Sequence, residues 1–196
     1  MPAVASDPAL QAVETPSFQW TRERYDLAVE SGVFTPDDKI ELLEGELVPI
    51  MSQNSLHRVA TALVVEALRK IFGRRGFVQS QAPIALSGWS EPEPDAVVVK
   101  GGPRDYMEDH PGPAAMLLIV EVSDSTLRKD RSRKAFLYAE AGIVEYWIVN
   151  LQDSILEVHR DPSGDAYRTK MTLGSGETVS PIQAPDATIA VADLLP

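Results

Sequence analysis

The sequence predicts an α/β or α+β fold in which helices flank a mixed β-sheet, and three observations support this prediction. Two apolar runs, MLLIVEVS at residues 116–123 and EYWIVN at residues 145–150, have the length and continuity of buried strands. Between them lies a helical pattern that begins at about Thr126 or Lys129 and ends before Gly142. Strand, helix and strand in this order imply a βαβ-like crossover within one sheet.

Two helices and a hairpin are expected upstream of this unit. The first helix is predicted over residues 21–31, with Thr21 as its N-cap and Gly32 as its stop. In the segment KIELLEGELVPI that follows, Glu44-Gly45-Glu46 lies between apolar residues, which indicates a strand or the edge of a tight hairpin. From residue 55 to about 72, apolar side chains recur at steps of three and four, as in an amphipathic helix.

Further strands complete the predicted sheet. Residues 77–86 alternate loosely between apolar and polar, and the proline-rich turn SGWSEPEP then leads into the strand DAVVVK. A polar loop is expected over residues 101–113. Beyond Ser154, the turns PSGD and GSG divide the chain into short strands.

The chain is expected to form a single domain over residues 17–196 after a flexible lead over residues 1–16. Its 196 residues are enough to bury a core, and 44% are apolar and 24% charged, as in globular proteins. No apolar run approaches the roughly 20 residues of a membrane span, and the chain does not start like a signal peptide. We therefore expect a cytoplasmic protein with no membrane partner. The absence of cysteine excludes a disulfide framework, a thiol nucleophile and a cysteine-ligated zinc site.

The formal net charge of −11 argues against a protein that coats nucleic acid through general electrostatics. It does not argue against a local acidic cluster that holds metal ions. Two groups of basic residues, at 69–75 and 128–134, could face nucleic acid or could simply be solvated helix faces.

Two carboxylates stand at informative positions on the predicted strands. Glu121 interrupts MLLIVEVS, and Asp95 follows Pro94 at the start of DAVVVK. A buried ionised carboxylate requires a cation, several hydrogen-bond donors or a metal ion. Asp95 could merely cap a turn and Glu121 could pair with an arginine. If the two strands are neighbours, both carboxylates could instead bind a hard cation such as Mg²⁺ or Mn²⁺.

The order of these residues resembles the PD-(D/E)XK nuclease superfamily. More closely, the run EVSDSTLRKDRSRKAFLYAEAGIVEYWIVN, together with ELLEGELVPIMSQNSLH and PDAVVV, resembles the Uma2 family, also called DUF820. The resemblance covers most of residues 20–196. It implies a restriction-endonuclease-like fold and a metal bound by Asp95 and Glu121.

The chain departs from the superfamily pattern at Ser123, where a lysine is expected two residues after the glutamate. In the Uma2 pattern a lysine stands on the following helix, and Lys134 matches it. Asp130 lies four residues before Lys134, on the same helix face, and could anchor its side chain. The alternative is a surface ion pair without a catalytic role.

Two further residues are assigned to the site by the same resemblance. Glu46 is expected to supply an upstream acid, although Glu44 and Glu41 compete with it and an exposed hairpin edge is the alternative. His57 opens the long helix and could act as a base or contact phosphate, or it could be a solvated or capping residue.

The predicted function is that of an endonuclease that cuts DNA with Mg²⁺ or Mn²⁺. Asp95, Glu121 and Lys134 would be catalytic, with Glu46, His57, Asp130 and Ser123 in support. A homodimer is expected, because two sites most simply cut two strands. The main alternative is a catalytically inactive nuclease-like binding or interaction module, which the acidic charge and Ser123 favour. Glycoside hydrolysis by two carboxylates is a weaker alternative. It would require an acid pair that faces a sugar cleft, and it would require no helix lysine.

Overall fold

The computed structural model describes residues 18–35 and 37–196, so the predicted lead over residues 1–16 lies outside the described residues. Helix α1 spans Arg22–Glu30, and the Thr21 side chain caps it by accepting a hydrogen bond from Arg24 N. Strands β1 (Ile40–Leu43) and β2 (Glu46–Pro49) then pair antiparallel. Both the helix and the tight hairpin predicted from the sequence are confirmed.

The hairpin turn has a specific backbone geometry. Glu44 and Gly45 have positive φ angles of 51° and 80°. Two consecutive positive φ values are typical of a type I′ turn, whose twist matches that of the two strands it joins. Gly45 suits this turn, since a Cβ atom there would lie 2.9 Å from Cβ of Gln19.

Helix α2 has the predicted bounds, Ser55–Phe72, and Asn54 caps it by accepting a hydrogen bond from His57 N at 2.9 Å. Three strands follow: β3 (Phe77–Gln79), β4 (Ala96–Val99) and β5 (Met116–Ser123). Much of the proline-rich segment between β3 and β4 is irregular. Two short 3₁₀ turns, Pro103–Tyr106 and Pro113–Ala115, lie in the predicted polar loop region before β5.

The helix after β5 contains an irregularity that the sequence did not predict. It starts as α3 (Leu127–Lys129), widens into a π-helical turn (Asp130–Lys134) and continues as α4 (Ala135–Glu140). β6 (Glu145–Asn150) follows and pairs parallel with β5. The predicted βαβ crossover is therefore confirmed.

Two strands longer than predicted complete the sheet. β7 (Ile155–Ser163) and β8 (Ala166–Gly174) each contain nine residues and form an antiparallel hairpin around the predicted turn. The six-stranded sheet has the order β3-β4-β5-β6-β7-β8. A small pair, β9 (Thr178–Val179) with β10 (Ile189–Ala190), and a 3₁₀ turn (Val191–Leu194) end the described chain.

The sheet has a hydrophobic core on each face. On one face, α2 and the C-terminal segment pack on alternate residues of β5 such as Leu118 and Val120. On the other face, α4 packs on Ile119 and on Tyr146 of β6. All eight residues of β5 are buried, as expected of a central strand. This architecture confirms the predicted class. Within the described residues, no helix is both long enough and apolar enough to cross a membrane.

Candidate active site

Asp95 lies directly before β4, at one end of the sheet. Its Oδ2 atom accepts a hydrogen bond from Val122 N at 2.9 Å, and Gln53 Nε2 lies 3.4 Å from Oδ1. β4 and β5 are antiparallel, with Ala96 opposite Val120. The start of β4 therefore lies beside the last residues of β5, which include Glu121.

Glu121 projects from β5 towards the helix that contains Lys134. Its Oε1 atom accepts hydrogen bonds from Lys134 Nζ and from the Tyr138 hydroxyl, each at 2.8 Å. Both the Glu121 and the Lys134 side chains are about 5% exposed or less. The buried carboxylate thus has a compensating cation, and that cation is a lysine rather than the arginine considered from the sequence.

The pKa values of Glu121 and Lys134 are both raised, but the main cause differs between the two groups. Burial raises the pKa of Glu121 to about 8; Lys134 lowers it, but Asp130 and Asp95 raise it further. Burial lowers the pKa of Lys134, but the charges of Glu121, Glu41 and Asp130 outweigh burial and raise it. The neighbouring carboxylates therefore add to the effect of burial at Glu121 and outweigh the effect of burial at Lys134.

The π-helical turn determines which lysines reach the site. In an α-helix, residues five apart such as Lys129 and Lys134 are separated by about 140° around the axis. Here both ammonium groups contact the same carboxylate, since Glu41 lies 2.9 Å from Lys129 Nζ and 3.5 Å from Lys134 Nζ. The wider turn brings the two lysines onto one side, and turns of this kind frequently occur at functional sites.

Glu41 is the acid that β1 contributes, and the structure corrects the assignment of Glu46. Glu41 is 1% exposed, and besides its two lysines it accepts a hydrogen bond from Glu93 N. Burial raises the pKa of Glu41, but the lysines and the backbone donor outweigh burial and lower it. Glu46 lies on the hairpin surface with a 58% exposed side chain and pairs with Arg133 at 2.8 Å. The type I′ turn separates Glu44 and Glu46 from the cavity, and both carboxylates form ion pairs with Arg133.

His57 contacts the site from the first turn of α2. Its Nε2 atom lies 3.3 Å from Asp95 Oδ2, and Nδ1 lies 3.4 Å from the Thr61 hydroxyl. Burial lowers the pKa of His57, but the hydrogen bond and charge of Asp95 outweigh burial and raise it. His57 is therefore placed to hold the Asp95 carboxylate.

Asp130 and Ser123 form a hydrogen-bonded pair rather than the anchor predicted for Lys134. Asp130 Oδ2 accepts hydrogen bonds from the hydroxyls of Ser123 and Thr126, both at 2.6 Å. Lys134 instead forms ion pairs with Glu121 and Glu41. Asp130 thereby ties the start of the helix to the end of β5, and the prediction that Asp130 anchors the Lys134 side chain is wrong.

These side chains surround a cavity of about 50 Å³. Five carboxylates and two ammonium groups line it, namely Glu41, Glu93, Asp95, Glu121 and Asp130 with Lys129 and Lys134. A divalent cation would offset this excess of negative charge. In the described part of the chain no three or more His, Asp or Glu side chains form a ready-made metal site. The donors nevertheless fit Mg²⁺, which binds through one or two carboxylates and keeps several waters.

The chain is similar to one protein family and to a solved structure. The model of the Uma2 family, described as "Putative restriction endonuclease", matches residues 22–192. The crystal structure of a putative nuclease belonging to DUF820, from Anabaena variabilis ATCC 29413, is similar to this chain with a TM-score of 0.67. The two sequences are 13% identical, and the match covers 84% of this chain and 94% of that one. This likeness confirms the predicted restriction-endonuclease-like fold. No curated protein matches the chain.

Proposed function

This chain belongs to the Uma2 family, and on that premise we propose that it is a metal-dependent endonuclease that hydrolyses DNA phosphodiester bonds. The observation that supports this most strongly is the meeting of Asp95, Glu121 and Lys134 around one small cavity. The three residues come from the position directly before β4, from β5 and from the helix between β5 and β6. A cavity with a large excess of carboxylates is suited to a metal ion and, through that ion, to a phosphate group.

Asp95 and Glu121 would hold Mg²⁺ or Mn²⁺ in this proposal. Such an ion lowers the pKa of a bound water and neutralises charge that develops on the phosphodiester. Both carboxylates are fixed before any ion arrives, Asp95 by Val122 N and His57, and Glu121 by Lys134 and Tyr138. Such pre-organisation is favourable because the ligands need little rearrangement when the reaction proceeds.

Lys134 would act as a hydrogen-bond donor and positive charge, not as a base. Its pKa is raised, so it remains an ammonium group at neutral pH. From its position beside Glu121 it could orient the attacking water or stabilise negative charge on the phosphate oxygens. His57 would be a positioning residue that holds Asp95. The homodimer expected from the sequence stays a prediction.

The proposal is tested with covalently closed circular DNA, which only an endonuclease can open. We expect Asp95→Asn, Glu121→Gln and Lys134→Met each to reduce the rate of Mg²⁺- or Mn²⁺-dependent cleavage by at least about 100-fold, as when a preorganised charged group is removed. Glu46→Gln and Lys170→Met make the same chemical changes at exposed positions outside the cavity and should cleave like the wild type.

Equal cleavage by Asp95→Asn and the wild type would overturn the proposed mechanism. If the wild type cleaves neither circular single-stranded nor circular duplex DNA with either ion, the inactive nuclease-like binding module becomes the better explanation.

A further inference from the structure

A second cavity of about 460 Å³ opens beside the acidic one and is called the side cavity here. It lies between β2 and the helix after β5, with Val48, Pro49 and Met51 on one wall and Arg128 on the other. Met51, Thr126 and Lys129 line both cavities. The two cavities therefore adjoin, so a polymer with a phosphate at the acidic cavity has room for a neighbouring unit in the side cavity.

The side cavity combines an apolar wall with a free positive charge. The other cationic side chains of this helix form ion pairs with acids: Lys129 with Glu41, Arg131 with Glu157, Arg133 with Glu44 and Glu46, and Lys134 with Glu121. Arg128 is exposed, and no described acid pairs with its guanidinium group.

From these contacts we infer that the side cavity binds an unpaired nucleotide next to the scissile phosphate, so that the substrate is single-stranded or locally unpaired DNA. The inference rests on the proposed function, because it takes the acidic cavity as the place of the scissile phosphate. The flat base would contact the apolar wall, and Arg128 would contact the adjoining phosphate or the face of the base.

Duplex DNA fits this arrangement poorly. Bases of a duplex are stacked and paired, so a base can enter a cavity beside its own phosphate only after it leaves the stack, at a cost in free energy. The net charge of −11 offers no broad electrostatic attraction that would offset this cost. An already unpaired strand avoids the cost, and a single site is enough to cut it.

The test measures binding separately from cleavage. All variants carry Asp95→Asn, and fluorescence anisotropy reports their binding to a labelled single-stranded oligonucleotide and to the same oligonucleotide annealed to its complement. We expect tighter binding of the single strand. Adding Arg128→Glu or Pro49→Glu should weaken single-strand binding about tenfold, with little change for the duplex. Both positions are exposed, so the variants should fold.

Arg74→Glu is the matched control. It makes the same charge change at an exposed arginine just beyond the end of α2, about 25 Å along the helix from His57. Equal affinity for single strand and duplex, or equal effects of Arg74→Glu and Arg128→Glu, would overturn the side-cavity assignment. Failure of the proposed function would be a separate result. In that case the Asp95→Asn single variant would cleave DNA as fast as the wild type does.

Discussion

The buried position of Glu121 lowers the stability of the folded protein. Its carboxylate is buried, and one lysine and one tyrosine are its hydrogen-bond partners. Asp95 and Asp130 add negative charge nearby, so the ionised form of Glu121 is disfavoured. An isolated structural ion pair would not need these extra acids, whereas the proposed cation site would.

The raised pKa of Glu121 predicts how stability depends on pH. Burial raises the pKa of Glu121 in the folded protein to about 8, whereas its ordinary value, expected in the unfolded chain, is 4.5. The native state therefore binds more protons between these values, and the free energy of unfolding falls as pH rises. The contribution between pH 5 and 7.5 is at most about 3 kcal/mol.

Urea unfolding in EDTA at several pH values checks this prediction. Relative to the wild type, Glu121→Gln should become more stable as pH rises, because glutamine cannot ionise. Glu46→Gln controls for the loss of a glutamate at an exposed position. A difference between wild type and Glu121→Gln that is constant from pH 5 to pH 8 would contradict the raised pKa.

At the scale of single residues, the sequence indicated some residues of the candidate site and not others. Asp95 and Glu121 could be found because an acid within or beside an apolar strand is conspicuous, and Lys134 was found by resemblance. Glu41 was only one of three candidates. Its selection depends on the turn at Glu44 and Gly45 and on two lysines far away in the chain, which no local pattern shows.

At the scale of elements, the π-helical turn at Asp130–Lys134 is the feature that the sequence did not predict. Its residues have ordinary helix-forming character, so local propensity favours a regular α-helix. The wider turn is stabilised by contacts from other strands: the Ser123 hydroxyl of β5 donates a hydrogen bond to Asp130, and Glu41 of β1 accepts one from Lys129. Long-range contacts have overridden the local preference.

Deleting Ser132 should convert this turn into a regular helix. Because α4 is fixed by its packing on β6, the residues before the deletion would rotate, and Lys129 and Asp130 would lose their partners. We expect cleavage to fall about 100-fold, as for other small misplacements of catalytic groups. Stability should fall by about 1–3 kcal/mol, since buried polar groups lose hydrogen bonds.

Ser132→Ala is the control, since it removes the same exposed side chain but keeps the length of the turn. Its stability should stay within about 0.5 kcal/mol of the wild type. Circular dichroism and urea unfolding report the fold, and cleavage of circular DNA reports activity. If the deletion variant cleaves as well as Ser132→Ala, the register of the π-helical turn has no role in the site.

At the scale of the whole molecule, the sheet and its crossover follow from simple patterns. Continuous apolar runs predicted the central strands, and the three-and-four spacing predicted α2 with its correct bounds. The lengths of β7 and β8 were underestimated, because Pro162 and Ser163 resemble a turn but pair with Tyr167 and Ala166 within a long hairpin. The surroundings of the basic group at 128–134, by contrast, depend on how the layers pack: four of its five basic side chains form ion pairs with acids of β1, β2, β5 and β7.

The excess of acid at the centre of the molecule leads to a prediction for its overall stability. An ion that binds only the folded state stabilises the protein, by about 2.7 kcal/mol when its concentration is 100 times its Kd. For a chain of this size, that corresponds to a rise in Tm of about 5–10 °C. Differential scanning fluorimetry with increasing Mn²⁺ should show this rise for the wild type and not for Asp95→Ala. Asp165→Ala removes an exposed acid at the β7–β8 turn and should respond to Mn²⁺ like the wild type. An equal rise in Asp95→Ala would mean that Mn²⁺ binds elsewhere, and the acidic cavity would then lose its assignment as the metal site.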